Sequence, residues 1–207
     1  MMVIYIVLLG VIIFAYVLSI VFPVIYLHEK KNAIKQSDQL LNENDEVGCF
    51  PVLGIVIFTI PLLIFILSGN IVLSSFCFIL SVMAYTDLSA RWIPDLAIYL
   101  LLAIAMLSLR TADLIISFWS VLFYLMPAIL LSTYGYVLKK EKWIASGDYY
   151  VFPAIGLMIT PEYAASLMLI NLLIVLFFSR WVQKIPLVTV AYITFTGCQT
   201  CILLDFI

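Results

Sequence analysis

The sequence predicts an all-α fold, a polytopic transmembrane helical bundle of about eight spans. Three observations predict it. Of the 207 residues, 66% are hydrophobic and 11% are charged, against about 45–50% and about 25% in a soluble domain. A water-soluble core has no room for that much apolar surface, and the mean hydropathy of +1.22 agrees. The apolar residues fall in long runs, several near the roughly 20 residues that a helix needs to cross a bilayer. Charges lie almost entirely between the runs.

Residues 2–27 read as the first span. No basic stretch precedes it, its apolar run is too long for a signal peptide, and no A-x-A-like site follows, so it is expected to be retained. The loop 28–49, "HEKKNAIKQSDQLLNENDEVGC", mixes both charge signs and has few apolar anchors. It is expected to be a linker with at most a helical turn or two. Further spans are expected at about 50–68, 70–86, 95–109, 113–138, 145–160, 163–179 and 185–206. The fourth and sixth are short. Short spans that carry polar residues tend to line a cavity, where irregular backbone is tolerated.

The basic residues fix an orientation. Lys30, Lys31 and Lys35 fall in the first loop, Arg91 in the third, Lys139, Lys140 and Lys142 in the fifth, and Arg180 and Lys184 in the seventh. The even-numbered loops carry only Arg110. Basic loops face the cytoplasm, so the odd loops are expected there and both termini outside.

Composition also narrows the chemistry. A formal net charge of −2 gives no electrostatic footprint for nucleic acid. Cys77, Cys198 and Cys201 sit in apolar runs, where cysteine behaves as a small hydrophobe. Cys198 and Cys201 form a lone CxxC, and the one histidine, His28, is far away in sequence. A structural zinc site wants four ligands, so no metal and no cofactor is expected.

Two stretches break the apolar pattern. In "AYTDLSARWIPDL", Asp87, Arg91 and Asp95 crowd around Pro94; in "WIASGDYYVFPAIG", Asp148 follows a small-residue turn. A charged aspartate at a helix centre costs on the order of 2.5–3.5 kcal/mol on the insertion scale. Asp87 has modest explanations, as a cap for the helix after Pro94 or as a partner for Arg91 four residues on. Asp95 opens a helix, where a carboxylate is favoured structurally. Gly147 is expected to let the backbone bend and a neighbouring helix approach. Asp87 and Asp148 lie at the same expected face. Brought together, two carboxylates share one proton. One can then act as base on a water while the other donates to a scissile carbonyl.

These stretches resemble the type IV prepilin peptidase family, membrane aspartyl proteases of the GxGD class. The first motif of that family, Asp with a Pro seven residues on, then Asn or Asp, is met by Asp87, Ile93, Pro94 and Asp95. The second, GxGD with a Gly eight residues on, is met by Gly147, Asp148, Ala154 and Gly156, with Ala145 at the first Gly. "IPLVTVAYITF", from Ile185 to Phe195, is similar to the C-terminal IPxGPxL-type segment, with Thr189 where a proline is common. The lysine that often follows the second motif is Tyr150 here. The paired CxxC motifs associated with N-methylation are missing, since loop 28–49 holds only Cys49.

The resemblance implies a catalytic pair of Asp87 and Asp148, with Gly147, Pro94 and Asp95 as motif support. It implies a division into residues 1–49, an N-terminal transmembrane helix and linker, and residues 50–207, a membrane aspartyl peptidase domain. The implied substrates are type IV prepilins or pseudopilins, cut at their short leader on the cytoplasmic face of the inner (plasma) membrane. Pilus or secretion assembly proteins and the lipid bilayer are the other expected partners. Two readings stay open on the residues: a small proton-coupled transporter or channel with the aspartates as relay, and an inactive pilus-assembly scaffold.

Overall fold

The computed structural model describes residues 2–34, 47–109, 113–140, 144–145, 147–179 and 185–206. They form eight α-helices: α1 (Met2–Ile34), α2 (Pro51–Ser68), α3 (Ile71–Ala90), α4 (Asp95–Ser108), α5 (Leu114–Tyr134), α6 (Asp148–Leu157), α7 (Pro161–Phe178) and α8 (Leu187–Leu203). A π-helical turn, Gly135–Lys139, extends α5. The protein is an all-helical integral membrane bundle, with spans on α1, α2, α3, α5 and α7 long and apolar enough to cross a bilayer. Helices α4, α6 and α8 are shorter, with 14, 10 and 17 residues.

The helix ends are written locally. Pro51 and Pro161 open α2 and α7, where the missing N–H costs nothing. Asn70 caps α3, its side-chain oxygen accepting from the amides of Val72 and Leu73 at 2.9 and 3.2 Å. Asp113 caps α5 in the same way through Ile115 at 2.9 Å. Gly69 closes α2 in the left-handed region at φ 64°. Helix α1 runs past the expected end at residue 27 to Ile34. Glu29, Lys30, Lys31 and Ala33 are good helix formers, so the first third of the expected linker continues the helix. Residues 35–46 of that linker, Lys35 among them, lie outside the described residues, as do Arg110, Lys142, Ser146, Arg180 and Lys184.

Helices α3, α4, α6 and α8 form a closed ring, each packed on the next, with α3 and α6 on opposite sides. Helix α2 covers α3 and α8, α1 covers α2, and α5 and α7 pack on α6 and α8 respectively and on each other. Among the long spans α3 is the most buried and α1 the least. Composition explains the order. Helix α3 carries Ser74, Ser75, Ser81, Thr86, Asp87 and Ser89, polar groups that belong inside the protein and not in lipid. The described part of α1 before His28 carries chiefly apolar and aromatic side chains that lipid accepts.

Two contacts set the inter-helix distances. A Cβ on Gly156 of α6 would stand 2.8 Å from the Cα of Val121, so α6 and α5 touch backbone to backbone there. Pro61, within α2, removes the N–H that the carbonyl four residues back would receive. That carbonyl belongs to Ile57, and the hydroxyl of Tyr192 on α8 donates to it at 2.6 Å. A second helix thus satisfies the group that the proline freed, as a bilayer interior requires.

Gly156→Ala is expected to lower the stability of the protein by about 1–3 kcal/mol, because the added methyl meets main chain that cannot move aside. Gly197→Ala, in α8 with open space around its Cβ position, is expected to raise it by about 0.5–1 kcal/mol through helix propensity. Thermal unfolding of the two variants in detergent checks the opposite signs.

Candidate active site

Four places along the chain meet at one end of the bundle. The amide of Gly48, ahead of α2, donates to the Ser89 carbonyl near the end of α3 at 2.9 Å. Trp92, just after α3, stacks on Phe22 of α1 and meets Tyr26 edge-on. Ile93 lies against Gly147, whose Cβ position is 3.8 Å from the Ile93 Cδ1. The start of α8 reaches the same place through Asp87. Gly48 ahead of α2, the described α3–α4 connection, Gly147 ahead of α6 and the start of α8 therefore share one end.

Asp87 occupies the last turn of α3 and is 6% exposed. Helix α3 ends because Arg91 turns left-handed at φ 53°, its amide closing on the Asp87 carbonyl at 2.9 Å. Pro94 follows in extended conformation and sets the start of α4. The Asp87 side chain does not cap α4. It caps α8, to which it is not joined in sequence. Helix α8 begins at Pro186, which offers no capping side chain. The Thr189 amide donates to Asp87 Oδ2 at 3.1 Å, and the Val188 amide also serves this carboxylate. These are the second and third amides of the helix, the ones that a cap residue normally satisfies. The Thr189 hydroxyl donates to the Ala84 carbonyl at 2.7 Å and lies 3.4 Å from the same Oδ2. Arg91 adds its positive charge from the surface side.

Asp148 is the first residue of α6 and is 7% exposed. Burial of a carboxyl at a helix start follows from the ring, since α6 is enclosed by α4, α5 and α8. The Ala145 amide serves its carboxyl. Its charge and that of Asp87 lie close enough to repel each other. Two carboxyls, one from each side of the ring, are thus buried at the same end.

The other motif residues have structural places. Asp95 is exposed in the first turn of α4, makes no capping hydrogen bond, and interacts with that helix through its dipole. Gly147 precedes α6 with ordinary helical angles, φ −62° and ψ −36°, and its Cβ position has room. The expectation that Gly147 permits a bend and a close approach is therefore corrected. The close approach is made nine residues later, by Gly156, where backbone meets backbone. Sequence reasoning gave Thr189 no role in the site. The signals were its place in the Ile185–Phe195 segment that resembles a family motif, and three residues after Pro186 at the start of an apolar helix without a cap of its own.

Cys77 is buried, Cys198 and Cys201 are partly buried, and all are free thiols away from the two aspartates in their helices. Among the described residues no three His, Cys, Asp or Glu side chains gather as metal ligands.

The sequence model of the type IV leader peptidase family matches residues 71–180, just over half of the chain. That stretch begins with α3 and ends after α7, and includes both buried aspartates. No curated protein and no solved structure matches the chain. A helical membrane bundle with Asp87 and Asp148 at one end, matched over those residues, belongs to the type IV leader peptidase family.

Proposed function

We propose that the protein is a membrane-embedded aspartyl endopeptidase that removes the short leader of type IV prepilin-like precursors. The observation that carries this reading is the burial of Asp87 and Asp148, 61 residues apart in sequence, at one end of the bundle with their charges interacting. The basic residues Lys31, Arg91 and Lys140 lie at that end and are exposed, which supports a cytoplasmic placement of it by the positive-inside rule. Residues 50–207 form the peptidase unit, and α1 with its linker flanks it.

The chemistry follows from the pair. One carboxylate, ionised, takes a proton from a water as that water attacks the peptide carbonyl. The other carboxyl, protonated, gives its proton to the carbonyl oxygen; as the tetrahedral intermediate collapses, the C–N bond breaks, the proton taken from water passes to the leaving amine, and the second carboxyl recovers its own from the hydroxyl. A leader joined to an apolar helix brings its scissile bond to the rim of the bilayer, at the depth of these carboxyls. A proton relay across the membrane is less well supported. The deeper polar groups Tyr124, Asn171 and Thr194 are hydrogen-bonded to one another, and none is an acid.

Asp87→Asn and Asp148→Asn are each expected to reduce leader cleavage at least about 100-fold, since either removes one partner of general acid–base catalysis. The assay is the mobility shift of a purified prepilin incubated with protein in lipid, and near-normal cleavage by either variant overturns the assignment. Asp95→Asn is expected to cleave within about twofold of the parent, because asparagine is also well accepted at a helix start. Loss of cleavage in Asp95→Asn protein of normal abundance would bring Asp95 into the catalytic set.

A further inference from the structure

We propose that Thr189 is a positioning residue that fixes the division of labour between the two aspartates, holding the negative charge on Asp87 and leaving the shared proton on Asp148. The inference rests on the peptidase reading for its consequence, but its physical content concerns the resting protein alone. It assigns Asp87 as the base that activates water and Asp148 as the acid.

The two carboxyls have unequal surroundings. Asp87 receives the amides of Val188 and Thr189 at the start of α8, and the Thr189 hydroxyl lies 3.4 Å away. It also faces the positive end of the α8 dipole, which favours an anion, and the charge of Arg91. Asp148 has one amide, from Ala145, and the repulsion of Asp87. Hydrogen bonds to a carboxylate favour the charged form. The side with more donors and a nearby cation keeps the charge.

Among the described residues, the groups besides Asp148 that act on the Asp87 carboxyl are Thr189, Val188 and Arg91; Tyr85, two residues before it on α3, is buried with its hydroxyl unbonded. Helix α2 carries no titratable side chain, and those of α4, Asp95 and Tyr99, are exposed. Helix α8 presents Tyr192, whose hydroxyl is committed to Ile57, and Cys198 and Cys201 far along the helix. From α6 the acidic group is Asp148.

Thr189 holds the arrangement at two points. Its amide contacts the carboxylate, and its hydroxyl ties the first turn of α8 to the Ala84 carbonyl at 2.7 Å, three residues before Asp87. A side chain without the hydroxyl would leave the amide free to drift. Proline would remove the amide outright, at a first-turn position that tolerates it.

The test is infrared spectroscopy of the full chain in lipid, titrated with pH and following the carbonyl stretch of a protonated carboxyl. Subtracting the spectrum of the double variant Asp87→Asn, Asp148→Asn isolates the one carboxyl left in each single variant. Each single variant has lost the repulsion of its partner, so the comparison is between the two remaining sites: the protonation midpoint of Asp148, read in Asp87→Asn, is expected to lie above that of Asp87, read in Asp148→Asn. In the Asp148→Asn background, Thr189→Pro is expected to move the protonation midpoint of Asp87 up by about one pH unit, the scale of one lost bond to a charged group. Thr189→Val is expected to move it the same way by less, and Thr189→Ser to leave it in place. An Asp87 midpoint at or above that of Asp148, or an unmoved midpoint in whichever of the proline and valine variants folds, overturns the inference. These spectra need no substrate. If they come out as expected while Asp87→Asn still cleaves prepilin, the peptidase reading falls and the charge assignment stands; the reverse pattern removes only the charge assignment.

Discussion

The start of α8 and the carboxylate of Asp87 satisfy each other, and much of the structure is arranged around that contact. A helix inside a bilayer begins with amides that have no intrahelical partner, and water is not there to replace one. Asp87, for its part, is an acid in the most buried long span. Placed together, the amides of Val188 and Thr189 solvate the carboxylate and the carboxylate caps the helix. Removing either leaves the other unsatisfied at low dielectric, where that is most costly. The contact also fixes the height of α8 against α3, and so the geometry of everything that α8 touches.

Helix α8 is anchored along its whole length by groups of the same kind. Tyr192 meets the carbonyl that Pro61 leaves open, Thr194 meets Asn171, and Gln199 meets the Met158 carbonyl at 3.0 Å. Each bond joins a different helix. Lipid supplies little hydrophobic drive for helices to associate, so polar bonds and close packing share the work. Each such bond is worth only about 0.6 kcal/mol on average. Their number and spacing, more than any one of them, hold the ring closed around the two aspartates.

How far the sequence spoke for itself depends on the range over which each feature is encoded. The helices are legible because their signals are local: apolar runs, prolines at 51 and 161, Asn70 and Asp113 as caps, Gly69 as a stop. The shared end of the aspartates is legible because the lysines and arginines mark every second loop. The length of α1 was underestimated, because charged residues with good helix propensity look like a loop when hydropathy is the guide. The role of Thr189 was not legible at all. Its partner lies 102 residues away, and nothing in "IPLVTV" says which acid it will meet. Gly147 and Gly156 show the same limit. Both fit the motif spacing, but only the packed structure tells which one has a neighbouring backbone against it.

The brevity of α6 has a consequence for how water arrives. Ten residues rise only about 15 Å, half of a hydrocarbon layer roughly 30 Å thick. Ahead of Asp148 the described residues Ile144 and Ala145 are not helical. Unwound chain survives at such a level only when shielded by protein or bathed by solvent; Ile144 is shielded and Ala145 is open. A helix that opens on its acid, with the exposed Ala145 three residues ahead, sets a carboxyl enclosed by the bundle one short step from the aqueous phase, where the reagent of any hydrolysis is found.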